Sequence, residues 1–105
     1  MPAKDWQKWL SESCFVFVER ITVGGKLTDF RVVLLAIIGD RLQCVTRYDT
    51  AHGFAHRDIL RFDGSLLKKE PVQEKDFDLA FDAAYDDVTL NHERHLAAFL
   101  ATRTE

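Results

Sequence analysis

The residues with the most chemical capacity lie in one short segment, Arg47-Tyr48-Asp49-Thr50-Ala51-His52-Gly53-Phe54-Ala55-His56-Arg57-Asp58. It holds two His, two Arg, two Asp and a Tyr. Three chemistries suit this set. The first is metal-independent cleavage of RNA. A base must take the ribose 2′-hydroxyl proton, an acid must protonate the leaving oxygen, and cations must hold the phosphate. Imidazole is the best acid/base near neutral pH, and the guanidinium fork suits phosphate. On that reading His52, His56 and Tyr48 are the catalytic candidates, and Arg47, Arg57 and Asp49 bind substrate. The second is metal ligation by His52, His56 and Asp58 or Asp49, although no H-E-x-x-H or C-x-x-C spacing accompanies them. The third is structural. Asp49 and Thr50 would cap a turn through side-chain-to-backbone bonds, braced by the two His.

Positioning these groups falls to the flanking elements. Residues Cys14 to Val23 are rich in β-branched and aromatic side chains and predict a strand. Gly24-Gly25 is a two-residue hairpin turn. Thr28 to Ile38 predicts a second strand, and its all-apolar run from Val32 to Ile38 predicts a central one covered on both faces. After Gly39-Asp40, Leu42 to Tyr48 predicts a third strand with Leu42, Cys44, Thr46 and Tyr48 on one face. The chemical segment then becomes a loop, where Gly53 can take a positive φ, followed by a strand from His56 to Phe62. Leu66 to Lys68 adds a short return strand after Asp63-Gly64.

Two helices are expected at the ends. Trp6, Trp9 and Leu10 share a helical face between Asp5 and Ser11. Glu74 to Thr102 keeps three-to-four spacing through Phe77, Phe81, Ala84, Tyr85, Val88, Leu96, Phe99 and Leu100. The expected fold is therefore α+β: a short N-terminal helix, an antiparallel β-meander of four to five strands, and a long C-terminal helix packed on one face, in a single domain over 1–105. A straight helix of that length overhangs a small domain, and its apolar end predicts a homodimer or an antitoxin contact. A break, if any, is expected at Asp86-Asp87 or at Thr89 to Asn91, where helix propensity is low.

Within the segment, alternation sends Arg47 and Tyr48 to opposite faces unless a bulge intervenes. A shared exposed face for His52, His56, Arg47 and Tyr48 requires such a bulge near Tyr48. Cys44 reads as a core residue, not a nucleophile. His92 and His95 read as packing residues of the last helix, not ligands.

Composition narrows the classes. The 105 residues are 47% hydrophobic and 30% charged, with only two Cys, which excludes a disulfide scaffold. No apolar run approaches a membrane span. With no signal-like N-terminal stretch, a cytoplasmic protein without a cofactor is expected. The net charge of −3 argues against indiscriminate binding of nucleic acid, but it is unevenly spread. Residues 1–40 are neutral, 41–69 carry +3 and 70–105 carry −6. A basic middle holding two of the four His faces an acidic tail, the pattern of a polyanion site beside a partner surface.

The segment from Arg47 to Leu60, with Asp63-Gly64 after it, looks like the core motif of a small prokaryotic domain family of about this length. That family in turn resembles the TumE-like toxins of type II toxin–antitoxin pairs. The matching positions are Arg47, Tyr48, Asp49, His52, Gly53 and His56. Arg57-Asp58 departs from the pattern, which places a second histidine close to Asp58. The resemblance implies a toxin that attacks or binds RNA and is neutralised by a cognate antitoxin. A non-catalytic protein-interaction domain and a small metal-binding module remain the alternatives.

Overall fold

The computed structural model describes residues 3–51 and 53–104. Six strands form one sheet in sequence order, each antiparallel to the next. They are β1 (Ala3–Trp9), β2 (Cys14–Val23), β3 (Lys26–Ile38), β4 (Arg41–Asp49), β5 (His56–Leu60) and β6 (Leu66–Pro71). Helices α1 (Phe77–Leu90) and α2 (His92–Ala101) cover one face. Among the described residues no helix is long and apolar enough to cross a membrane.

Local chemistry sets the meander. Gly24 and Gly25 both take positive φ, as do Gly39 and Asp40. Each pair forms a two-residue connection whose twist matches the flanking strands. Strand β3 is central, between β2 and β4, but helices cover only one of its faces, not both as its all-apolar run predicts. Phe30, Val32, Leu34 and Ala36 face the helices, while Val33 and Leu35 face the other side. Phe30 meets Phe77 and Phe81 edge-on, with ring centroids 6.0 and 5.6 Å apart.

The N-terminal segment is a strand, not the short helix its sequence suggests. Trp6, Trp9 and Leu10 fit a helical stripe, but period two separates the tryptophans. Trp6 pairs with Val18 and packs on Phe81 and Tyr85 under the helices. Trp9 pairs with Phe15 on the other face, their rings 4.7 Å apart. This strand and a full-length β6 raise the count to six from the expected four to five.

The C-terminal region is two helices, not one long one. Asp76 caps α1, its Oδ1 accepting from the Asp78 and Leu79 amides. The chain bends at Asn91 (φ −114°, ψ 19°), inside the stretch of weak helix formers. Thr89 Oγ1 donates to the Tyr85 carbonyl at 2.8 Å, a back-bond that helps bend a helix. The bend turns α2 onto the sheet, so Phe99 is only 3% exposed and packs against Phe62, the rings tilted with centroids 5.5 Å apart. The apolar end that seemed to need a second copy is thus covered by the chain's own sheet, and that argument for a homodimer through the helix disappears.

Phe99→Ala is expected to cost about 3–5 kcal/mol in urea unfolding without changing the mass seen by light scattering. A mass change with little loss of stability would place Phe99 in an intermolecular contact instead.

Candidate functional site

Strand β4 carries a bulge. Leu34 pairs with Thr46 but Leu35 pairs with Cys44, so Val45 is the extra residue. The phase of β4 therefore reverses there. Cys44 lies on the uncovered face while Thr46 and Tyr48 lie under the helices, not all on one face as simple alternation predicts. From Thr46 onward the register with β5 is regular: Arg47 pairs with Asp58, Tyr48 with Arg57, and Asp49 with His56. This pairing divides the chemical segment into two clusters on opposite faces.

Under the helices, Tyr48 Oη donates to Asp87 Oδ2 at 2.7 Å, and Asn91 Nδ2 donates to Asp87 Oδ1 at 2.9 Å. Arg57 Nη2 lies 3.0 Å from His95 Nδ1. Arginine can only donate, so Nδ1 accepts and His95 Nε2 carries the proton given to Asp87 Oδ2 at 3.0 Å. Burial lowers the pKa of His95 and outweighs the opposing charge of Asp87; Arg57 adds to the lowering. Burial raises the phenol of Tyr48, and its bond to Asp87 raises it further. The Asp87 carboxyl is raised by burial, but its donors Tyr48, Asn91 and His95 together hold it below the ordinary range. Tyr48 and Arg57 thus tie the sheet to the helices. Neither reaches the face that holds Arg47, so the expected exposed face shared by Tyr48, Arg47 and His56 is not formed. Asp87 and His95 were not sequence candidates for a site; one register step from the motif leads to them.

On the uncovered face, His56 Nε2 lies 3.0 Å from Asp49 Oδ1 and 3.8 Å from Asp58 Oδ1. Arg47 Nε donates to Asp58 Oδ2 at 2.9 Å. Lys69 Nζ reaches Asp58 Oδ1 at 3.5 Å and His56 Nε2 at 3.3 Å. His56 is only 1% exposed, beside the Phe54 ring, contrary to its expected place on an open surface. Burial pushes the Asp58 carboxyl up, yet the Arg47 bond and the charge of Lys69 hold it below the usual value. Lys69 was invisible as a site residue because β6 carries no motif; it arrives by pairing with Asp58.

Asp49 also lines a cleft of about 390 Å³ with Glu19, Asp29, Arg31 and Thr50. The turn beneath it behaves as the capping residues predict. Ala51 N donates to Asp49 Oδ1, Thr50 Oγ1 accepts from Phe30 N and donates to Asp29, and Gly53 takes φ +82°. His52 lies outside the described residues. Cys44 has a raised thiol pKa, mainly through burial, and is no ready nucleophile.

The network under the helices gives a pH prediction. A pKa lowered in the folded chain means that unfolded His95 takes up its proton first. Its stabilisation is in place above about pH 6.5 and is lost as pH falls below it. The melting temperature should drop between pH 7 and pH 5, and less so in His95→Gln. An equal drop in both would show that His95 is not held neutral.

A family model described as "Domain of unknown function (DUF7718)" matches residues 1–105. No curated protein and no solved structure matches the chain. The whole of this sheet, with both of its polar faces, lies within that match, and the chain belongs to the DUF7718 family.

Proposed function

We propose that the uncovered face of the sheet binds RNA, and that the chain is the toxin component of a toxin–antitoxin pair. The observation that carries this reading is the register, which sets Arg31, Arg47 and Lys69 around the Asp49–His56 pair beside the cleft. Arg31 and Lys69 are about half exposed and pair with Glu19 at 3.1 Å and Asp58 at 3.5 Å. The Arg31–Glu19 pair is exposed on both sides and worth roughly 0–1 kcal/mol, so a phosphate can replace the Glu19 carboxylate. On the far side of the same face, Trp9 is 49% exposed and offers a surface on which a base can stack.

The roles differ from those the sequence suggests. His56 is buried, so the group that meets a ribose hydroxyl in the cleft is Asp49. His56 is a positioning residue that fixes the Asp49 carboxylate through its 3.0 Å contact. Arg47 holds Asp58 and presents the rest of its guanidinium to the phosphate. A cognate antitoxin would neutralise such a toxin by docking a basic segment on the outer side of α1, where Asp78, Asp82 and Asp86 are exposed.

Binding of a short single-stranded RNA should weaken as salt is added. Arg31→Gln should lower the salt dependence by about one phosphate contact. Induced expression should arrest growth, and Asp49→Asn should relieve the arrest while remaining folded by circular dichroism. An affinity indifferent to salt, with harmless overexpression, would remove RNA as the ligand.

A further inference from the structure

The geometry points to a divalent-cation site on the uncovered face, formed by His56 Nε2, Asp49 Oδ1 and Asp58 Oδ1, with the Lys69 ammonium as a displaceable internal competitor. One ligand atom from each of these three residues lies within 4.8 Å of the others. The imidazole nitrogen is 3.0 Å from one carboxylate oxygen and 3.8 Å from the other. Two ligands each about 2.1 Å from a shared ion are about 3.0 Å apart at a right angle and about 3.4 Å apart at a tetrahedral angle. The two spacings to the imidazole bracket those values, and the two carboxylate oxygens, within 4.8 Å of each other, close on an ion by drawing together.

Three further observations point to a cation. Asp58 is 3% exposed, and its Oδ1 is a buried atom that accepts no hydrogen bond. It faces the cluster while Oδ2 is fixed by Arg47. Such an oxygen has lost water without gaining a donor, a cost that an ion removes. Lys69 Nζ lies 3.3 Å from His56 Nε2 and 3.5 Å from Asp58 Oδ1, so a positive charge already sits against two of the three ligand atoms. The contacts of Nε2 also conflict. Toward Lys69 it must accept, and toward Asp49 Oδ1 it must donate. A metal ion removes the conflict by taking the nitrogen lone pair and the carboxylate charge together.

The set of one imidazole and two carboxylates suits a first-row divalent ion such as Zn²⁺ or Mn²⁺ better than Mg²⁺. Two carboxylates balance its charge. Asp49, one of the three ligands, also lines the cleft. The Lys69 side chain is 42% exposed and can leave for solvent. Three protein ligands leave positions on the ion for water. The site shares residues with the proposed RNA surface but does not rest on it, since cation binding is read with no nucleic acid present.

The test is calorimetry and thermal unfolding of the tag-free full chain with ZnCl₂, MnCl₂ and, for contrast, MgCl₂. The wild type should bind a single Zn²⁺ or Mn²⁺ and melt at a higher temperature with it, and Mg²⁺ should do neither. Lys69→Met, which removes the competitor from a half-exposed position, should bind about tenfold tighter or more. Asp49→Asn and Asp58→Asn should lose the ion; if Asp58→Asn does not fold, Asp49→Asn decides. Two results would overturn the proposal. One is a folded Lys69→Met chain that takes up neither Zn²⁺ nor Mn²⁺ at millimolar concentration. The other is uptake that survives unchanged in Asp49→Asn, which would put the ion elsewhere, on Cys44 or His92.

Discussion

The pairing of β4 with β5 is the constraint on which both polar clusters depend. Arg47 opposite Asp58, Tyr48 opposite Arg57, and Asp49 opposite His56 are three consecutive cross-strand pairs. Consecutive pairs point to alternate faces. The same six residues therefore supply a network under the helices and a second one on the uncovered face. A slip of one residue would send the charged set of each face to the other. The slip is resisted because Tyr48 and Arg57 find Asp87 and His95 on one side, while Asp49 and Asp58 find His56, Arg47 and Lys69 on the other.

The bulge at Val45 sets which cluster falls on which face. An unbulged β4 paired with β3 through Cys44 would carry Thr46 and Tyr48 on the uncovered face and Arg47 and Asp49 under the helices. With Val45 as the extra residue, Val45 and Thr46 both turn inward, and Thr46, 1% exposed, donates its hydroxyl to the Asp58 carbonyl at 2.7 Å. A bulge beside a site re-aims side chains in this way. Its position left no signal in the sequence. Val45 is an ordinary strand residue, and no glycine or proline announces the irregularity. That is why the alternation of β4 was legible only up to Cys44.

Elsewhere the legibility follows the strength of the local chemistry. Strand β2 matches its expected bounds, because a run of β-branched and aromatic residues ends at a Gly-Gly turn. The central position of β3 was readable from its unbroken apolar run. Strand β1 was not, because Trp6, Trp9 and Leu10 satisfy helical spacing, whereas a strand puts the two tryptophans on opposite faces. What decides between them is a partner, Phe15 to Ile21 of β2, which no local pattern encodes. The bend at Asn91 was visible as a cluster of weak helix formers but was outweighed by continuous apolar spacing. Tertiary contacts of Phe99 and His95 with the sheet make the bend favourable. The motif itself was legible as a group of chemical residues. Its partition between faces was not, and Lys69 and Asp87 come from elements with no motif.

The two faces are mechanically joined, which bears on how the uncovered site is held. Thr46 Oγ1 accepts from Arg57 Nε at 3.2 Å and donates to the carbonyl of Asp58. Arg57 is in turn fixed by His95, which Asp87 orients. The backbone that presents the Asp58 carboxylate outward is thus anchored from beneath by α1 and α2. The Asp49–His56–Asp58 cluster sits on strands, not on the turn that precedes β5, and each strand is clamped on its opposite side. A site built this way takes its geometry from the strands and not from the turn that precedes β5. The segment carries its chemistry on one face and the supports for that chemistry on the other, through residues adjacent in sequence.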